Sequence, residues 1–244
     1  MAFSANAFAD FYESETGRLA QQAVSLKIRD YWHDVRHHKV LGLGYALPYL
    51  DKSLEQAERV ITMIPEARGA QPWPKEGGNL LCSGDARDLP FPVESFDRIL
   101  AVHYFEFTGR LPKAIEQAWR VLQPNGRLLL VVPNRLSAWA RADHTPFGCG
   151  TPFTLGQIET VLRQNKFRIE RTQRTLFVPP FRSERLSRYL AVFEGGGQVL
   201  LPGLCGAFVI EASKQIYAPV KPDRGSKLEA AARILIPKPE PSGT

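Results

Sequence analysis

Three groups of residues have types and spacings that could do chemistry. The first is Lys39–Leu43, an apolar run that reads as a buried strand and enters a turn at Gly42, Gly44 and Tyr45 before a helix opened by Pro48. A strand that runs through a glycine turn into a helix N-terminus is where an α/β protein holds a nucleotide-like ligand. The second is Gly84–Asp85–Ala86, which sets a carboxylate after the short strand Leu80–Cys82. The third is His103, Tyr104 and Glu106, which set an imidazole, a phenol and a carboxylate at the end of the apolar strand Arg98–Val102. A further histidine group, His33, His37 and His38, puts two rings at i, i+4 if the helix continues there. No other ligand is spaced to complete a metal site, so the group reads as a solvated, basic helix end and no metal is expected.

The elements that must position these groups alternate. Residues 8–38 read as helical, with Leu19, Ala23, Leu26 and Tyr31 as the apolar stripe. After the first strand come a helix from Pro48 to Ala57, a strand over Arg59–Ile64, and a Pro/Gly-rich loop over Glu66–Asn79. Leu80–Cys82 and Arg98–Val102 are the third and fourth strands. Leu111, Ile115, Ala118 and Leu122 mark a helix that Pro124–Asn125–Gly126 ends, and Arg127–Val132 is a fifth buried strand. A loop-rich stretch over Arg135–Thr154 carries Trp139, Arg141 and His144. Thr154 is placed to cap a helix over Leu155–Asn165. Strands over Phe167–Val178 and Ala207–Ser213 close the pattern, with a helix over Ser183–Phe193 between them. This order argues an open α/β sheet with helices on both faces. The expected organisation is an N-terminal helical arm (1–38), one α/β domain (39–218) and a flexible, Pro-rich basic tail (219–244).

Composition narrows the class. The 244 residues are 44% hydrophobic, enough for a sizeable core, and no apolar run is long enough to span a membrane as a helix. No secretory signal is read at Met1–Asp10, and the three cysteines, Cys82, Cys149 and Cys205, fit reduced thiols, so a cytoplasmic location is expected. The net charge of +6 permits attraction to nucleic acid or an anionic surface without requiring either.

Two segments resemble the class I S-adenosylmethionine-dependent methyltransferases, in particular the type 11 branch. One is Gly84–Asp85–Ala86 with Leu89–Pro90–Phe91 and Ser95–Phe96–Asp97–Arg98–Ile99; the other is Trp119–Arg120–Val121–Leu122–Gln123–Pro124–Asn125–Gly126–Arg127. They also have the family's mutual spacing. The resemblance covers about Lys39 to Phe167. It implies a seven-stranded Rossmann-like sheet in the order 3-2-1-4-5-7-6, with the methyl donor across the ends of strands 1, 2 and 4.

The resemblance also implies roles. Gly42, Gly44, Tyr45, Asp85, Ala86 and His103 would line the S-adenosylmethionine site. Asp85 would accept from the adenine amine, Ala86 would meet a ring nitrogen through its backbone, and Tyr45 would either face the methionine portion or pack in the closed loop. His103 is the candidate catalytic residue, to orient or deprotonate a methyl acceptor. The family's glycine loop usually begins with an acid, here Gly42, and keeps glycines where this chain has Ala46 and Pro48. The acid that usually holds the ribose falls at Met63 or Ile64. Three readings follow: a methyltransferase on a small-molecule acceptor, an inactive methyltransferase-like binding or regulatory protein, or an RNA or protein methylase with the basic arm and tail as docking elements. The strand 4 end lacks the Asn/Asp–Pro–Pro–aromatic run used on base amino groups, which counts against a DNA adenine methylase. The apolar stretches Val178–Pro180 and Val199–Leu204 could cover an acceptor, dock a protein partner or pack under the last strands.

Overall fold

The computed structural model describes residues 5–65, 72–74, 76–180, 203 and 205–216. Seven strands form one sheet in the order β3-β2-β1-β4-β5-β7-β6: β1 (Lys39–Gly44), β2 (Arg59–Pro65), β3 (Leu81–Gly84), β4 (Phe96–Val102), β5 (Leu122–Pro133), β6 (Phe167–Thr175) and β7 (Ala207–Lys214). The pairings β1–β2, β1–β4, β2–β3 and β4–β5 are parallel, and β7 runs antiparallel to both its neighbours.

The central strands are apolar on both faces because both faces are covered. Side chains alternate along a strand, so Leu41, Leu43, Ile99, Ala101, Leu128 and Leu130 join one core. Helices α4 (Leu111–Val121) and α5 (Leu155–Gln164) cover it with Ala114, Ile115, Ala118, Ile158 and Leu162. Val40, Leu100, Val102, Leu129 and Val131 join a second core under α2 (Glu15–Tyr31), which contributes Ala20, Val24 and Ile28. The helix α3 (Asp51–Gln56) packs Leu54 on that side. Thr154 caps α5 through a full capping box with Gln157, as its sequence position predicts.

Several boundaries differ from the sequence reading. The N-terminal helical stretch breaks at Ser14 into α1 (Ala5–Glu13) and α2, with the Ser14 hydroxyl accepting from Gly17 N–H. The buried stripe of α2 is Gly17, Ala20, Val24 and Ile28, whereas Leu26 is 63% exposed. Small residues let α2 lie close on the sheet, so side-chain size misplaces the stripe. α2 ends at Tyr31 with Trp32 as its C-cap, and His37 has φ 61°, so His33 and His37 are not paired on a helix. No cluster of metal-ligating side chains forms among the described residues.

The helix expected from Pro48 is divided into a 3-10 turn (Leu47–Tyr49) and α3. The Pro124–Asn125–Gly126 turn lies inside β5. Leu122 pairs with Phe96 and Arg127 with Arg98, so the turn is a bulge that Asn125 takes at φ 63°. The helix expected over Ser183–Phe193 and the tail from 219 onward fall outside the described residues.

Candidate active site

The sheet order reverses direction between β1 and β4, which opens a crevice at their C-terminal ends. Gly44 ends β1 with φ +71°, and a Cβ there would lie 2.4 Å from the Val102 carbonyl oxygen and 2.7 Å from that of His103. Only glycine permits this approach, which is fastened by Tyr45 N–H donating to Val102 O at 2.7 Å. The loop after β1 is thereby clamped to the end of β4. His103 follows at φ 49°, an uncommon conformation for a residue with a side chain, and its ring packs against Phe8, Tyr12 and Phe147.

His103 is 3% exposed and sits in a chain of buried polar groups. Its Nδ1 lies 3.1 Å from Glu106 Oε1, and its Nε2 lies 2.9 Å from Tyr12 Oη. Tyr12 Oη in turn lies 2.9 Å from Tyr49 Oη. In the tautomer that carries its proton on Nδ1, His103 donates to Glu106 and its Nε2 accepts the Tyr12 hydroxyl. Tyr12 Oη is then left to accept from Tyr49. The other carboxylate oxygen, Glu106 Oε2, is buried with no hydrogen-bond partner among the described residues. Burial, followed by the nearby Tyr49 ring, pushes the Tyr12 phenol well above the usual tyrosine range, and burial raises Tyr49 as well. Both phenols therefore stay protonated and able to donate.

Aromatic rings wall this network. Helix α1 lays Phe8 and Tyr12 nearly parallel to the Tyr45 ring, with centroids at 4.9 and 5.5 Å and interplanar angles of 14° and 15°. Phe147 meets the His103 ring edge-on at 4.6 Å, and Phe107 meets Phe8 in the same way. Burial raises the Tyr45 phenol to about 12.

Asp85 and Ala86 lie on the turn after β3. The Asp85 carboxylate is exposed and takes both guanidinium N–H groups and the backbone N–H of Arg87, which hold it at about 2. Ala86 is buried, and its carbonyl lies 3.5 Å from the hydroxyl of Tyr104, the residue after His103. The resemblance puts Gly42 where the family usually has an acid. A Cβ there would lie 2.6 Å from Leu50 Cδ1 and 3.0 Å from Thr62 Cγ2, so Leu50 fills the space. At the end of β2, Met63 is fully buried and Ile64 nearly so, and neither offers a polar side-chain atom for a ribose beyond the Met63 thioether.

The structure thus brings Gly44, Tyr45 and His103 together. It links Ala86 to them only through Tyr104, and turns Gly42 into the core. The residues fit the implied donor in part: Asp85 presents an exposed carboxylate, already paired with Arg87, where the adenine is expected, and the Tyr45 side offers aromatic faces suited to a sulfonium. Sequence reasoning missed Phe8, Tyr12 and Tyr49. The signal available was aromatic residues at i, i+3 and i+4, Phe8, Phe11 and Tyr12, ahead of the first strand. A cleft of about 730 Å³ between α2 and α3, lined by Gln22, Leu26, Arg29, Trp32 and Lys52, contains none of His103, Glu106 or Asp85.

A parallel sheet in this order, closed by one antiparallel strand and holding its polar side chains at the β1/β4 crevice, is the class I methyltransferase fold. Residues 41–130 match the family model described as a methyltransferase domain. The chain is 28% identical over 216 residues to the biotin biosynthesis bifunctional protein BioHC of Saccharophagus degradans, covering 80% of this chain and 38% of that protein. It is 37% identical over 71 residues to the ubiquinone/menaquinone biosynthesis C-methyltransferase UbiE of Paracoccus denitrificans, covering 29% of this chain and 28% of that protein. The chain therefore spans less than two-fifths of the length of these curated relatives. A solved S-adenosylmethionine-dependent methyltransferase of Thermotoga maritima superposes with a TM-score of 0.61 at 18% identity, over 86% of this chain and 96% of that one.

Proposed function

We propose that the chain is an S-adenosylmethionine-dependent methyltransferase acting on a small-molecule acceptor. The observation that carries this reading is the convergence of a buried His103–Glu106 pair and three stacked aromatic rings on the crevice of a methyltransferase sheet. Asp85 and Ala86 would hold the adenine, and Gly44 and Tyr45 the methionine portion. The donor supplies an electrophilic methyl group on a sulfonium. The protein's task is then to align the acceptor, exclude water and remove a proton where the acceptor carries one. Burial of the whole network serves the second need, and His103, with Glu106 behind it, serves the third. The relatives named for biotin and quinone biosynthesis support a small-molecule acceptor over a macromolecule. The free thiols of Cys82 and Cys149 favour a reducing compartment, in keeping with a cytoplasmic protein.

One observation favours a second reading, a protein that binds without turnover. Leu50 fills the place of the acid at Gly42, and Met63 and Ile64 replace the ribose-binding carboxylate. Loss of a bidentate carboxylate–diol contact costs about 2–4 kcal/mol, or roughly 30- to 1000-fold in affinity. Calorimetric titration with S-adenosylmethionine and S-adenosylhomocysteine separates the readings. The methyltransferase reading predicts binding of both that weakens on Asp85→Ala. No heat at millimolar ligand refutes it.

A further inference from the structure

We propose that the acceptor is a phenol whose hydroxyl takes the place on His103 Nε2 that the Tyr12 hydroxyl holds, with helix α1 acting as the cap that gives way to it. The inference rests on the methyltransferase reading and names the acceptor class for that site.

Helix α1 closes the crevice. At nine residues it is too short to be a stable helix in isolation, so its contacts hold it in place. Those contacts are made by Phe8, Phe11 and Tyr12, each less than a tenth exposed, and they seal the crevice over His103. An imidazole that is 1% exposed at its side chain cannot meet any acceptor while α1 stays in place. Something on α1 must therefore leave, and Tyr12 is the residue on α1 that hydrogen-bonds His103.

What Tyr12 leaves behind describes what can enter. Its ring lies along the Tyr45 face at 15° and meets the Tyr49 ring edge-on at 89°. This is a flat slot between aromatic walls, open to a planar ring. At its end stand Nε2 of His103, an acceptor, and the Tyr49 hydroxyl, a donor, both within 2.9 Å of one oxygen. A phenolic oxygen donates one proton and accepts another, and so satisfies both. An aryl ether accepts but cannot donate, and a plain arene does neither. Each leaves a buried polar group unmet, which is strongly disfavoured.

The same geometry supplies the base. In the tautomer whose Nδ1–H donates to Glu106, 3.1 Å away, Nε2 faces the slot with its lone pair. As the acceptor oxygen forms its bond to the methyl carbon, the methyl–sulfur bond breaks with its electron pair returning to sulfur. His103 Nε2 takes the hydroxyl proton. The products are the aryl methyl ether, neutral S-adenosylhomocysteine and an imidazolium beside Glu106. The carboxylate Glu106, whose second oxygen has no donor among the described residues, offsets that new charge as a positioning residue.

The test uses the full chain with Tyr12→Ala, in which the slot is vacated, and phenol and anisole as probes. Calorimetry should show phenol binding to Tyr12→Ala at least about tenfold tighter than to the unaltered protein, and at least about tenfold tighter than anisole. Adding His103→Leu should abolish the preference for phenol. Equal affinity for the two probes, or a preference that survives His103→Leu, overturns the proposal. If Tyr12→Ala loses its native circular dichroism, Tyr12→Phe serves instead, because it keeps the ring and loses only the hydroxyl. Phenol should then bind roughly fivefold tighter than to the unaltered protein, with anisole unchanged, and no difference overturns the proposal. With S-adenosylmethionine present, anisole should form in Tyr12→Ala and fall on His103→Leu. Absence of product while both ligands bind overturns the acceptor class. Failure of S-adenosylhomocysteine to bind counts against the methyltransferase reading instead, and the phenol-over-anisole comparison then decides the slot by itself.

Discussion

Replacing Gly44 by alanine should damage fold and site together, and the size of the effect follows from the geometry. At φ +71° an alanine meets the left-handed penalty, about 1–2 kcal/mol. Its Cβ would also stand 2.4 and 2.7 Å from two backbone oxygens, those of Val102 and His103. Neither is a flexible side-chain end, so relief requires the β1 and β4 termini to part. That would break the 2.7 Å bond from Tyr45 N–H to Val102 O, at a further cost of about 0.5–1.5 kcal/mol. The sum is roughly 1.5–3.5 kcal/mol, which for an m-value of about 2 kcal/mol/M lowers the urea midpoint by about 0.8–1.8 M. Gly109→Ala is the control, since a Cβ there meets nothing within 4 Å. It should leave the midpoint almost unchanged. A Gly44→Ala midpoint within about 0.3 M of the parent would refute the reasoning. It would mean that the loop after β1 is not clamped to β4, and that His103 is not positioned as described.

Gly42→Asp, which restores the family acid, should destabilise the protein by pressing on Leu50, and Leu50→Ala in the same chain should recover part of the loss; additive effects in urea unfolding would show that the two sites are not in contact. Met63→Asp should lower stability by about 3 kcal/mol or more rather than strengthen donor binding, because Met63 is wholly buried; stability unchanged in the same assay would place it at the surface. Glu106→Gln should lower kcat with little change in KM, since the amide keeps the shape and loses the charge that steadies the imidazolium; a change confined to KM would place Glu106 in binding alone. The phenols of Tyr12 and Tyr49 titrate higher when folded than when unfolded, so their contribution to stability is complete below about pH 10 and is lost as pH rises toward their folded values. Ultraviolet titration should show tyrosinate from these two only together with loss of native circular dichroism, and Tyr12→Phe should remove part of that pH dependence.

The sheet was legible because its information is local and repeated. Apolar runs such as Arg98–Val102 and Arg127–Val132, each followed by a turn and a helical period, force parallel strands buried on both faces. The strand order came from the resemblance of the Asp85 and Arg120–Gly126 segments, and the structure has that order. The candidate site was legible only where a residue's place in a strand decides its place in space, as for Gly44 and His103. Tyr12 reaches His103 across 91 positions of sequence, a contact no spacing rule contains. Asp85 was correctly placed after β3, but its pairing with Arg87 depends on a turn whose backbone N–H also joins in. The stripe on α2 was misread because alanine, valine and glycine are buried where leucine was expected. Close helix–sheet packing selects small side chains and leaves Leu26 outside.

All of the proposed chemistry depends on the β1/β4 crevice holding the methyl donor, and a crystal structure of the protein with S-adenosylhomocysteine tests this most directly. It should place the adenine against Asp85 and Ala86, the amino acid portion along Gly44 and Tyr45, and the sulfur toward His103. Density for the ligand in the α2/α3 cleft, or none at the crevice in crystals grown at saturating ligand, would contradict it.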